Sequence, residues 1–228
     1  MLINPIIFGG GAANVISSVT LIGYTNDTSG ATTYTFSSVS LGTPVSTTHL
    51  VVPIQWNKGQ SRTPLSLTID GDSMTKLAGI DTTTSFNTGT AIFYKKITTD
   101  YGTSANFVLT MNAGCNGASL GVLTFHRSGT ITTVDTLTNR SNGGTSATGT
   151  IDVSANGLLV GVGGYGSVDA GTPTFSAGIT DDTAVVNTGN FESVIGFDTF
   201  AAAESGRTVT VSGGAGNDDY SMTVVSLL

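Results

Sequence analysis

Apolar residues recur at every second position along most of this chain, in short runs that end in Gly, Asn, Asp or Ser. In the stretch 106–112, for instance, Phe107, Leu109 and Met111 alternate with polar neighbours. A period of two is that of a strand with one buried face. The helical period is nearly absent. "AAAES" at 201–205 has room for one turn, but the segments on either side of it alternate like strands. The pattern predicts strands near 15–24, 32–40, 48–56, 64–70, 90–97 and 105–112. A second batch is predicted near 118–126, 131–137, 148–153, 157–164, 173–178, 192–200, 207–212 and 220–228, with turn residues between them.

The second batch repeats the first. "NFVLTMNAGCNGASLGVLTFH" (106–126) lies without a gap over "TVTVSGGAGNDDYSMTVVSLL" (208–228), so that Ser119 falls on Ser221 and Val122 on Val224. "AIFYKKI" lies over "SVIGFDT", "HLVVPIQW" (49–56) over "GLLVGVGG" (157–164), and Thr63-Pro64 over Thr172-Pro173. These landmarks keep their order and define two pseudo-repeats, about 31–127 and 145–228. The fold class expected is therefore all-β: an antiparallel β-sandwich, of jelly-roll or immunoglobulin-like type, built from two pseudo-repeated halves. Residues 13–228 form its body. The bridge at 127–146 carries the strand-like "TITTVDTL" and no Pro-rich linker, which favours one compact unit over two small sandwiches.

Composition narrows the function. The net charge is −7 and the eight Lys and Arg are scattered, apart from Lys95-Lys96. A nucleic-acid partner is not expected without a basic stripe to neutralise phosphates. The single Cys115 excludes an internal disulfide framework. No run approaches the roughly 18 apolar residues of a membrane helix, so membrane insertion is not expected. The opening "MLINPIIFGGGAAN" has no Lys or Arg and is broken by Pro5 and glycines, so it does not read as a secretory signal.

Candidate chemistry is sparse. "GGAGNDDY" (213–220) fits a calcium-binding nonapeptide, yet it is a single copy where calcium needs tandem copies. Its counterpart "NAGCNGAS" has no carboxylate, so both read as hairpin connections. Asp218 and Asp219 remain the alternative, a surface ion site; otherwise no metal and no cofactor is expected. Asp70 and Asp72 bracket Gly71 in a turn, and no pair of acids is singled out for glycoside hydrolysis. Glu192, in the strand "FESVIGF", is the one acid placed to enter a groove, although a solvated strand face explains it as well. His49 and His126 stand alone at strand ends and read as surface or rim residues, with His126-Arg127 a small polar patch. No catalytic residue emerges. Trp56, Tyr94 and Tyr165, together with Tyr101 and Phe191, are candidates for stacking on a glycan, against the plainer reading of core packing.

The N-terminal arm, residues 1–12, is the most suggestive feature. Ile3, Pro5, Ile6, Ile7 and Phe8 are followed by the permissive hinge Gly9, Gly10 and Gly11. Apolar residues on a tether need a cover, supplied either by a scaffold to which the arm anchors or by the protein's own sheet edge.

With "LVVPIQW", "IFYKKI", "GVLTFHR", a second half ending in "MTVVSLL", and the opening "INPIIFGGG", the chain resembles Thr/Ser/Gly-rich β-sandwich structural proteins of tailed bacteriophages and some bacterial surface proteins. That resemblance implies a non-enzymatic virion component, either a head decoration or a fibre or tail accessory protein. It would be made in the host cytoplasm and be homo-oligomeric or present in many copies. Its partners would be capsid or tail proteins, with a host-surface glycan as a second possible partner. The alternative is a carbohydrate-binding adhesin on a virion or bacterial surface; a glycan-acting enzyme would need an acid/base pair that is not visible.

Overall fold

The computed structural model describes residues 15–166, 172–187, 191–213 and 218–228, and all their regular structure is β-strand. The arm 1–12 lies outside these residues. The first half comprises β1 (Ser17–Asp27), β2 (Thr33–Ser40), β3 (Thr48–Asn57), β4 (Pro64–Ile69), β5 (Asp72–Ser73), β6 (Thr75–Ile80), β7 (Thr88–Lys96), β8 (Ser104–Met111) and β9 (Gly117–His126). The second comprises β10 (Thr133–Gly144), β11 (Ser146–Val153), β12 (Leu158–Tyr165), β13 (Thr174–Ala177), β14 (Asp181–Asn187), β15 (Phe191–Thr199), β16 (Glu204–Ser212) and β17 (Asp218–Leu227).

Strand order makes the repeat explicit. One sheet of the first half runs β1-β9-β3-β7-β6 and the other β2-β8-β4-β5. In the second half the orders are β10-β17-β12-β15-β14 and β11-β16-β13. Replacing each strand by its counterpart converts one set into the other, apart from the two-residue β5. Each half is a jelly roll, two antiparallel sheets wound as Greek keys. Each also has its own core, with Trp56, Phe107 and Leu120 in the first and Tyr165, Phe175 and Val211 in the second. The single sandwich favoured by the sequence is thus replaced by two. The repeats also start earlier than expected, because β1 and β10 pair with β9 and β17.

Outer and inner sheets obey different patterns. β8 reads exposed–buried throughout, with Ala105, Phe107, Leu109 and Met111 inward, because its other face meets water. In β2 the inward set steps from Tyr34 and Phe36 to Val39, across a bulge where Ser38 takes a φ of 55°. By contrast β3 and β12 are buried along their whole length. Both their faces are covered, so their sequences run apolar without alternation. Pro53 sits within β3, and the ladder to β9 skips Val52 and Pro53, because proline has no N–H to give.

The cover comes from the other half. The sheets containing β3 and β12 pack face to face, with β3 on β12, β7 on β17, β3 on β15 and β6 on β10. The two sheets that meet are counterparts, since β12 corresponds to β3, β17 to β9 and β10 to β1. One part of this seam is apolar: Val51, Ile92, Leu123 and Phe125 meet Leu158, Val160, Ile195 and Val225. The other part is a sheet of buried hydroxyls. Thr90 Oγ1 bonds Thr223 Oγ1 at 2.8 Å, Thr88 Oγ1 bonds Ser221 Oγ at 3.2 Å, and Ser119 Oγ bonds Ser193 Oγ at 3.3 Å. Gln55 Nε2 donates across the seam to the Glu192 carbonyl at 3.1 Å and to Thr88 Oγ1 at 2.9 Å. These bonds remove the penalty of burying the hydroxyls and the Gln55 Nε2 unpaired, whereas Gln55 Oε1 has no partner among the described residues.

Three strands were not anticipated: β5, and the edge strands β6 and β14, which correspond to each other. An edge strand needs less apolar patterning than an interior one, so its signal is faint. "AAAES" forms no helical turn; Glu204 and Ser205 open β16.

Candidate functional site

The aromatic residues proposed as a glycan platform are not brought together. Trp56 pairs with Gly89 and Ala118, and Tyr165 with Glu192 and Tyr220, so the two occupy equivalent positions in different cores. Both are fully buried, as is Phe191. The Trp56 Nε1 donates to the Arg62 carbonyl at 3.2 Å, and Tyr165 donates to Glu192 Oε2 at 2.7 Å. Glu192 is accordingly an interior acid rather than part of a groove or a solvated face. Tyr94 lies half-buried with its ring stacked on His49, 5.9 Å between centroids. The glycan assignment of Trp56 and Tyr165 is corrected, since in a jelly roll the large aromatics lie where the two sheets need volume, whereas Tyr94 keeps part of its surface.

The histidines also change place. Antiparallel pairing brings His126 opposite Thr48, so His49 and His126 share one end of the sheet. His49 is fully buried, its ring flanked by Tyr94 and Phe125. Its Nδ1 bonds the Tyr94 hydroxyl at 2.8 Å and its Nε2 the Arg127 carbonyl at 3.0 Å. Burial pushes its pKa down, with Lys96 and Arg127 adding to that and the bond to the Arg127 carbonyl opposing it. A lowered pKa in the folded state means the unfolded chain binds more protons as pH falls. The stabilisation is therefore complete above the unfolded value of about 6.5 and is lost below it. The melting temperature is expected to drop from about pH 7 to about pH 5, and His49→Gln to flatten that slope. Equal slopes in both proteins would remove His49 from the pH response. Arg127 is also buried, at 8% exposure, and its Nε and Nη1 have no partner among the described residues.

The calcium-like stretch is only partly described. Residues 214–217 lie outside the described residues, Asp218 begins β17, and the Asp219 carboxylate accepts from the Asn87 N–H at 2.9 Å. That bond ties the start of β17 to the first half. Among the described residues, no group of three or more His, Cys, Asp or Glu is placed to hold a metal.

Two concave places stand out among the described residues. A cleft of about 340 Å³ at one end of the first jelly roll is lined by Asp70, Asp72, Thr98, Asp100, Tyr101 and Gly102. Asp70 and Gly71, at φ 47° and 90°, form the tight turn expected from the sequence, and the Asp70 carboxylate accepts from the Asn106 N–H at 2.8 Å. Tyr101 donates to Asp72 Oδ2, and Lys95 Nζ lies 3.4 Å from the same oxygen. Those two partners hold the Asp72 carboxyl below its usual range, the tyrosine bond foremost. Burial and the bond to Asp72 push the Tyr101 phenol up to about 12. Asp100 and Tyr101 reach the cleft on the loop after β7, a tertiary approach with no local signal.

The second place lies at the foot of the seam. A groove of about 230 Å³ is lined by Val15, Ile16, Asn156, Gly157, Thr199, Phe200 and Ala201. Ile16 is buried in the seam core and Val15 is 44% exposed. The chain preceding Val15 therefore joins the body where the two jelly rolls meet.

No family model and no curated protein matches this sequence. Among solved structures, the chain is similar to that of Cucumber Necrosis Virus, with 13% identity, a TM-score of 0.26 and coverage of 92% of this chain and 94% of that one. A conserved Pseudomonas aeruginosa protein of unknown function gives 9% identity, a TM-score of 0.28 and coverage of 92% and 99%. The STIV MCP gives 5% identity, a TM-score of 0.25 and coverage of 93% and 97%. At these scores the likeness carries no argument, and the jelly-roll assignment rests on strand order alone.

Proposed function

We propose that this protein is a non-enzymatic structural component of a virion, a head decoration or a fibre or tail accessory protein, fastened by its N-terminal arm. The observation that carries the proposal is the joining of two jelly rolls through a seam with a buried apolar cluster, which holds Ile16 near the start of β1. Such a body is rigid, and it presents loops at its two ends without needing a ligand or disulfide to hold them. Jelly rolls serve in capsids, lectins and cupins, so the fold by itself does not choose among these. The resemblance to tailed-phage structural proteins and the tethered segment Ile3–Phe8 favour the first. Its partners are then capsid or tail proteins, it is present in many copies, and its place is the virion after synthesis in the host cytoplasm.

Deleting residues 1–11 is expected to reduce incorporation into particles at least roughly tenfold, as loss of a few buried apolar side chains implies. The purified protein should keep its melting temperature. Normal incorporation of the truncated protein would overturn the anchoring role.

A carbohydrate-binding role has one supporting observation, the Tyr101 cleft, which offers an aromatic ring beside hydrogen-bonding carboxylates. A glycan array comparing the protein with Tyr101→Ala tests it, and the absence of any signal that depends on Tyr101 would dismiss it.

A further inference from the structure

We propose that the end of the seam around Arg127 is a binding site for a small oxyanion, a phosphate or carboxylate group held by the Arg127 guanidinium. This site is independent of the virion role.

The guanidinium is fixed in place and lacks a partner. Leu123 and Phe125 of β9 face the seam, and Arg127, two residues further on, faces it too. The Arg127 N–H donates to the Thr47 carbonyl at 3.0 Å, and the Arg127 carbonyl accepts from His49 Nε2 at 3.0 Å, so its backbone is tied twice to the start of β3. A carbonyl only accepts, so Nε2 carries the proton of the neutral His49 ring and Nδ1 accepts from the Tyr94 hydroxyl at 2.8 Å. Both ring nitrogens are then occupied, and neither serves the guanidinium. Nε and Nη1 of Arg127 are buried without a hydrogen-bond partner, and among the described residues neither Arg127 nor Lys96 forms an ion pair. Burying a guanidinium unpaired is strongly unfavourable. An oxyanion supplies both the missing charge and the missing acceptors.

The second half is an internal control. The ladders set His49 against Phe125 and Lys96, and set its counterpart Leu158 against Leu227 and Thr199. In the same way Tyr94 corresponds to Phe197. The second jelly roll thus closes this end of the seam with Leu158, Phe197 and Leu227, which belong to the apolar cluster or pack against it. Packing needs no charge here, since well-packed apolar side chains replace buried ions with little or no loss of stability. The first half instead gathers Arg127, Lys96 and His126 within electrostatic range of His49, in a chain whose net charge is −7. One buried guanidinium and one exposed lysine do not make the basic stripe of a nucleic-acid site, which leaves a small oxyanion as the ligand.

Thermal melts at about pH 7.5, where His49 is neutral, test the site with sodium phosphate, sodium acetate and sodium chloride compared at equal ionic strength. An anion present at about five times its dissociation constant raises the melting temperature by about 2–4 °C. The rise should saturate with concentration, be absent in chloride and be lost in Arg127→Met. Whether phosphate or acetate saturates tells which group binds. An equal rise in the parent and Arg127→Met proteins would be a general salt effect and would overturn the site. The Arg127 Nε–H resonance, assigned by its loss in Arg127→Lys, reads the parent protein directly and should move saturably with the same anion. A resonance that stays in place in both phosphate and acetate would overturn the proposal, whatever the stability of either variant.

Discussion

Trp56→Ala is expected to lower the unfolding free energy by about 4 kcal/mol, within the range for truncating a buried aromatic. Trp56 has no exposed surface, and its indole fills the space over Gly89, where an added Cβ would lie 2.5 Å from the ring. The position facing the ring, Gly89, has no side chain to expand into that volume. The substitution also leaves the Arg62 carbonyl without its indole donor. Urea unfolding followed by far-UV circular dichroism reads the change as a shifted midpoint. Leu65→Ala is the control: Leu65 is 66% exposed on β4 and its loss should cost no more than about 0.5 kcal/mol. A Trp56→Ala protein as stable as the control would mean that this ring is not part of the first core.

Gly164→Ala is expected to cost about 3 kcal/mol and to separate the unfolding of the two halves, because it strikes the seam rather than a core. A Cβ at Gly164 would lie 2.1 Å from the Glu192 carbonyl oxygen and 2.7 Å from both amide atoms of Gln55. The first neighbour is backbone of an adjacent strand and cannot move without breaking the β12–β15 ladder. The second is the side chain that bridges the halves, and displacing it loses the bonds to Glu192 and Thr88. Scanning calorimetry should show one transition for the parent protein and two for the variant. A single transition at the parent temperature would show that the hydroxyl sheet does not couple the jelly rolls.

Much of this architecture was legible in the sequence, and what was not follows a physical line. The C-terminal hairpin was matched in correct register, Val122 with Val224, because one of its strands, β8 or β16, faces water and alternates. β3 and β12 were matched one residue out. Trp56 corresponds to Tyr165, not to Gly164, and a slip of one residue sends every side chain to the opposite face. Strands covered on both sides carry no alternation by which to detect such a slip. The same blindness made Trp56 and Tyr165 candidates for a surface, and it left His49, at a strand end, looking like a rim residue.

Alternating apolar residues, turn residues between them and the ordered return of landmarks were enough to determine that the chain is all-β and built twice. These are local properties, decided by a strand's own two faces and by the turns that end it. Which faces meet was settled only by tertiary structure. Thr90 and Thr223, 133 residues apart, bond across the seam, and nothing near either threonine announces the other. The second cover over β3 and β12 and the groove beside Val15 and Ile16 both follow from that packing. Pairing between distant, independently folded faces has no signature along the chain, because burial depends on what arrives from elsewhere.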